Sequence, residues 1–172
     1  VNNVFILAGD TGAMGPGNFL FDAMAGGTND TVRVFEVWDR DGGGTERFDE
    51  LIVGGDFTEG GGGALGFIGA YTPDGGWAAV GSAQPTGVIG FDAPVHSLLV
   101  FVDQEFGVGT QPFAENPVLY AGGEFTTADG SPASRMAQLV FDPLLLEWTW
   151  IPMGFGSTDT VFALQNFNDE IP

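Results

Sequence analysis

Short apolar or alternating runs recur along the chain, and none keeps a helical 3.6-residue period. The runs are Val4–Ala8, Val32–Trp38, Leu51–Val53, Ala64–Tyr71, Trp77–Val80, Leu98–Val102, Val118–Ala121, Met136–Phe141, Trp148–Ile151 and Val161–Leu164. Gly, Pro, Asp, Asn or Thr bounds each of them, which is how short strands separated by turns read. Gly supplies 29 of the 172 residues. At a cost of about 1 kcal/mol for each Gly in a helix interior, that density argues against helices. The pattern predicts an all-β chain.

Within it a unit repeats. Leu51-Ile52-Val53-Gly54-Gly55-Asp56-Phe57-Thr58 matches Leu119-Tyr120-Ala121-Gly122-Gly123-Glu124-Phe125-Thr126, 68 residues on, and Ile6-Leu7-Ala8-Gly9-Asp10-Thr11 reads as a degraded copy. Trp77-Ala78-Ala79-Val80-Gly81 matches Trp150-Ile151-Pro152-Met153-Gly154, with Phe21 standing in for the Trp of the first copy. Upstream of each Trp stand an aromatic and a turn, Tyr71-Thr72-Pro73-Asp74-Gly75 and Phe141-Asp142-Pro143. Thr31–Phe35 matches Thr160–Leu164, with Gly87–Phe91 as a looser copy. Four short antiparallel strands per unit is the signature of a β-propeller blade. Stacked blades cover each other's faces, Gly-Gly lets strands crowd near an axis, and the aromatics fill the layers between blades.

Gly122-Gly123, Phe141-Asp142-Pro143, Trp148 or Trp150, then Pro152-Met153 resembles the kelch pattern. The Gly-Gly-x-Phe-Thr element at Gly54–Thr58 and Gly122–Thr126 is similar to the repeat arrays of large secreted bacterial propeller proteins. The resemblance implies about three blade equivalents, open or part of a larger ring, with Gly54, Gly55, Phe57, Trp77, Gly122, Gly123, Phe125 and Trp150 as structural repeat positions. The expected boundaries are a partial blade at 1–30, blades at 31–85 and 86–159, and the first strand of a further blade at 160–172. An insertion at 93–117 is not accounted for by the pattern. Joining the end to the start would make three blades, fewer than the four or so a closed propeller needs. The chain then reads either as a segment of a longer ring or as one whose terminal strand completes a neighbouring copy by strand addition.

Charge narrows the functions. Asp and Glu outnumber Lys and Arg 23 to 4, for a net charge of -19. Phosphate backbones and anionic lipid would repel such a surface, so neither nucleic-acid binding nor membrane insertion is expected. Lys is absent, and the four bases are Arg33, Arg40, Arg47 and Arg135. A surface this acidic stays hydrated in salt and suits an extracellular or cell-surface setting. Cys is absent, which removes disulfides and thiolate metal sites.

The acidic stretch Asp39–Glu50 has Asp at loop positions one and three, Gly at six and Glu at twelve, as a calcium loop does. Asp39, Asp41, Asp49 and Glu50 are its candidate calcium ligands, and the bland alternative is a solvated hairpin. Asp56 and Glu124, with Asp10, follow the Gly-containing strand in each copy and would ring one mouth of the axis. Such carboxylates could hold a cation or act as acid and base on a sugar. Repetition favours a structural role, since a catalytic pair should be unique. Asp74-Gly75-Gly76-Trp77 is close to the Asp-turn-Trp hairpin of sialidase-type propellers, which is structural there. His96, the one histidine, has no Gly-x-Ser-x-Gly nucleophile beside it in the sequence and reads as a packing or surface residue. A copper centre of the kelch-oxidase kind would need Cys and more than one His.

The sequence reading is therefore a non-catalytic extracellular module, structural or binding, requiring no cofactor. Its partner is a protein or glycan on a loop face made of 12–17, 58–63, 126–132 and 93–117, and self-association through terminal strands is a further expectation. The alternatives are a glycan-active enzyme using paired carboxylates and a calcium-stabilised adhesion module.

Overall fold

Val32–Asp39 alternates between covered and open positions along its length, the two-residue period of a strand. In the computed structural model this pattern builds two four-stranded antiparallel sheets. The structure describes residues 5–8, 20–24, 26–39, 49–73, 75–101 and 117–166. The first sheet runs β3 (Val32–Asp39), β4 (Asp49–Gly55), β7 (Ile68–Thr72), β8 (Gly76–Ala79), and the second β9 (Val95–Phe101), β10 (Val118–Gly123), β13 (Met136–Asp142), β14 (Glu147–Pro152). Each is a simple up-and-down meander. Two-residue ribbons cross the turns between second and third strands: β5 (Glu59–Gly60) with β6 (Gly63–Ala64), and β11 (Thr127–Ala128) with β12 (Ser131–Pro132). A short sheet of β1 (Phe5–Ala8) and β2 (Leu20–Ala23) precedes them. The described residues contain no helix, the sheets do not close into a barrel, and no helix is long and apolar enough to cross a membrane.

The two units superimpose in register. Gly55 lies opposite Val32 and Gly123 opposite Val95, each with the same bulge one residue on. Gly55 N–H donates to Phe67 O and Gly123 N–H to Arg135 O, both at 3.1 Å, 68 residues apart. Phe67 and Arg135 also share a φ of 66°, so even the unusual backbone repeats.

This register revises three sequence expectations. The partner of β3 in the repeat is β9, not Gly87–Phe91, of which only Phe91 forms a bridge, to Ala128. The stretch 93–117, read as an insertion, thus contains the first strand of the second sheet. Ile6–Thr11 was matched to the Gly-Gly strand, but β1 pairs with β2, and β2 leads into a turn where Gly27 N–H bonds Met24 O. The same turn, Gly156 to Met153, follows β14. β2 is therefore a fourth strand and β1 a third. The aromatics also shift by two places: Tyr71 faces Trp77, whereas Phe141 faces Trp148 and Leu139 faces Trp150.

One face of the first sheet packs on one face of the second. Trp38, Ile52, Ile68 and Ala70 meet Leu98, Leu119, Ala121, Leu139 and Trp150 in a single buried layer. Phe91 seals its end, stacked on Phe125 at 4.1 Å and tilted on Trp150 at 4.9 Å. Two buried indoles tie the layer to backbone: Trp150 Nε1 donates to Val80 O at 3.0 Å and Trp38 Nε1 to Pro117 O at 2.8 Å. On the first sheet's other face Met24 covers Val53, Phe57, Leu65 and Tyr71.

Candidate functional site

The Gly-Gly ends of the sheets are where polar side chains converge. Gly54 leaves room for Val95 of the next unit, and a Cβ there would lie 2.7 Å from its Cγ1. Gly122 does the same for Val161, again at 2.7 Å. The start of β9, and Val161 in turn, therefore abut the Gly-Gly strand of the unit before, although residues 160–166, expected from sequence to open the first strand of a further blade, pair in no strand. Asp56 N–H donates to Thr31 O and Glu124 N–H to Pro94 O, both at 2.9 Å, and Val161 N–H to Gly123 O at 3.1 Å.

A second device repeats beside it. Asn29 Oδ1 accepts the amides of Thr58 and Glu59 at 2.9 and 3.0 Å, while its Nδ2 donates to Thr58 Oγ1 at 3.1 Å. Asp92 Oδ1 accepts the amides of Thr126 and Thr127 at 2.7 and 2.8 Å, and its Oδ2 accepts the Thr126 hydroxyl at 2.6 Å. Asn and Asp perform one task, with the Thr hydroxyl reversing its role. Burial opposes ionisation of Asp92, but these hydrogen bonds outweigh it and hold its carboxyl below the ordinary range. A depressed folded-state value means stability present at neutral pH and lost as pH falls through that value. Asp92→Asn should therefore match the wild type near pH 7, since Asn29 already fills the equivalent place, and should lose that acid-dependent component. Asp92→Ala should cost about 1–2 kcal/mol. Urea unfolding between pH 7 and pH 3 reads both.

The repeated carboxylates have repeated partners. Arg33 binds Asp56 through two parallel bonds of 2.6 and 2.7 Å, which raise its already high pKa. His96, at the position of Arg33 in the next unit, meets Glu124 through Nε2 at 2.8 Å. The imidazole side chain is only 7% exposed. Its ring lies 5.1 Å from that of Phe162, which takes the same place in the third unit. Arg135 also donates to the Glu124 carbonyl. His96, read from sequence as a packing or surface residue, is thus the second unit's counterpart of Arg33. The signal was its place one residue after Val95, as Arg33 follows Val32.

The remaining candidates separate in space. Asp39 and Asp49 face each other across the β3–β4 pair, and Glu50 faces Trp38, at the end of the sheet remote from Gly55. Asp41 and Asp10 lie outside the described residues, as does Asp74. Among the described residues no three His, Asp or Glu side chains gather as a metal site. The expected loop face is also divided. The turns containing 58–63 and 126–132 lie at the Gly-Gly ends, whereas β9 and β10 are joined at Phe101 and Val118, the opposite end. Residues 12–17 lie outside the described set.

Asp129 is the polar group that sequence reading missed. It is 2% exposed, at a turn where the first unit has Gly61. Its φ of 45° and the 71° of Gly130 make the two-residue turn between β11 and β12. The carboxylate accepts Gly90 N–H at 2.8 Å, Ser82 N–H at 2.9 Å and Trp150 N–H at 2.8 Å, with the Thr149 hydroxyl at 3.3 Å. Beside it Ser82 donates to Glu147.

Comparison of the chain with protein-family models, with curated proteins and with solved structures finds no match. What the site can do therefore rests on its own geometry.

Proposed function

We propose that the chain is a run of β-propeller blades acting as an extracellular structural or binding module, not as an enzyme. The observation that carries this reading is the pairing of the repeated carboxylates. Acid–base chemistry on a glycoside needs two carboxyl groups facing one substrate in environments that push their pKa values apart. Here Asp56 and Glu124 occupy equivalent places and each is engaged by its own sheet's basic side chain, Arg33 or His96. That is the arrangement of a joint repeated from unit to unit. The kelch-like order of Gly-Gly, turn and Trp supports the blade assignment, and the net charge of -19 supports an extracellular or saline setting.

The purified chain, incubated with a panel of neutral and acidic polysaccharides, is expected to release no reducing ends above buffer. Asp56→Asn and Glu124→Gln are expected to lower the urea midpoint modestly and leave the fold intact. Turnover that Glu124→Gln abolishes would replace this reading with the glycan-active one.

A further inference from the structure

The joint between the sheets uses two unlike faces, and among the described residues each has a second example that no other sheet covers. The face of the first sheet carrying Trp38 and Ile52 meets the face of the second carrying Leu98 and Leu119. On the second sheet, the face equivalent to Trp38 and Ile52 carries Phe101 and Tyr120. With Leu99, Met136, Met153 and Leu164 these border an apolar groove of about 270 Å³. On the first sheet, the positions equivalent to Leu98 and Val100 are Phe35 and Val37, by their pairing with Val53 and Leu51. Leu98 is 6% exposed inside the joint, whereas Phe35 is 67% and Val37 57% exposed.

We infer that the chain binds a second copy of itself head to tail, through the face that already joins its own sheets. Phe35 and Val37 of one copy enter the groove bordered by Leu99, Phe101 and Met136 of the next. The contact repeats between chains the layer that, within one, buries Leu98 together with Trp38 and has Val100 packed against it, so the occupant's chemistry is that of an interface the fold already builds. The inference deepens the module reading above and rests on its repeat stacking. Because knob and groove are different surfaces, the interface is heterologous and propagates as a ring or a filament. Copies of net charge -19 repel each other, so association strengthens as salt screens them.

Light scattering tests this on the 172-residue chain in about 0.02 M and about 0.5 M NaCl. The wild type is expected to exceed the 18.0 kDa of one chain, more so at high salt. Phe35→Asp and Leu99→Asp should each weaken association at least ~10-fold, the loss of one apolar anchor at an interface centre. Mixed in equal amounts they should form a two-chain species and nothing larger, because one supplies an intact groove and the other an intact knob. Met153→Asp replaces Leu99→Asp if the latter unfolds, with circular dichroism as the check. A wild type of single-chain mass at both salt concentrations overturns the inference, as does a mixture that stays monomeric. So does Phe35→Asp that associates unimpaired. Polysaccharide turnover by a self-associating chain would sink the functional reading and leave this one standing.

Discussion

Asp129→Gly is expected to lower the unfolding free energy by about 3–6 kcal/mol. The substitution leaves the turn free to form, since Gly61 occupies the same place in the first unit and φ at this position is positive. What it removes is the acceptor for the amides of Ser82, Gly90 and Trp150. A buried donor left without a partner costs about 1–3 kcal/mol, and three are affected. Asp129→Asn should be intermediate, at about 1–3 kcal/mol, because the amide group must point its NH₂ at one or more of these donors. Burial chiefly, against the opposing hydrogen bonds, pushes the Asp129 carboxyl above the ordinary range. A raised folded-state value means the folded chain takes up this proton at higher pH than the unfolded chain does. Asp129 therefore adds stability as pH falls from its folded value towards its unfolded one, opposite in sign to Asp92. Urea titrations of wild type and Asp129→Asn should diverge in that window. An unfolding free energy for Asp129→Gly within about 0.5 kcal/mol of wild type, the range of a surface change, would show that the carboxylate is dispensable.

Gly123→Ala should be comparably damaging, for a steric reason. A Cβ at Gly123 would overlap the Pro94 carbonyl oxygen and lie 3.1 Å from Val95 Cα, both of them backbone. Neither can turn aside as a side chain could. Glu124 N–H bonds that same Pro94 carbonyl at 2.9 Å, so relief of the clash breaks the joint at the start of β9. Overpacking costs about 1–3 kcal/mol and a severed buried bond adds about 1–3 more. Gly63→Ala is the matched comparison. A Cβ there meets nothing nearer than Gly60 O at 3.7 Å, and the change should be neutral or stabilising by about 0.4–1 kcal/mol. Equal midpoints for the two alanine variants would refute the close-approach argument.

The strands were legible because their chemistry lies in side chains. Leu51–Thr58 and Leu119–Thr126 repeat as apolar residues, Gly-Gly, an acid, a buried Phe and Thr, and each of those must pack or fit. The link between units was not legible because it is made mostly of backbone. Thr28-Asn29-Asp30-Thr31-Val32, Phe91-Asp92-Ala93-Pro94-Val95 and Ser157-Thr158-Asp159-Thr160-Val161 share one course, yet only Val is constant among them. A bridge or carbonyl at the first and fourth places asks little of the side chain, and the clamp at the second accepts Asn or Asp. This is why Gly87–Phe91 was matched in place of β9. Asp129 was missed for a related reason. Its counterpart Gly61 lies within the run Gly60–Gly63, and the positive φ they share is satisfied by Gly or Asp with no common chemistry. Asp56 and Glu124 were legible as a pair, but their partners were not, because Arg and His give no matching signature until the strands are aligned.

The backbone bonds Asp56–Thr31, Glu124–Pro94 and Val161–Gly123 lie at the Gly-Gly ends, and this divides the sequence by how freely it can be rewritten. At the opposite end β3 and β4 are connected through residues 40–48 and β9 and β10 through 102–117, segments of different length that leave the same register behind them. Doubling the length of a flexible connection costs only about 0.6 kcal/mol of closure entropy. An insertion between Asp39 and Asp49 is expected to cost little, whereas one within Gly54-Gly55 or Gly122-Gly123 is expected to break the close approach to Val95 or Val161. The chain is thus already organised as a display frame, with a fixed rim and an editable one.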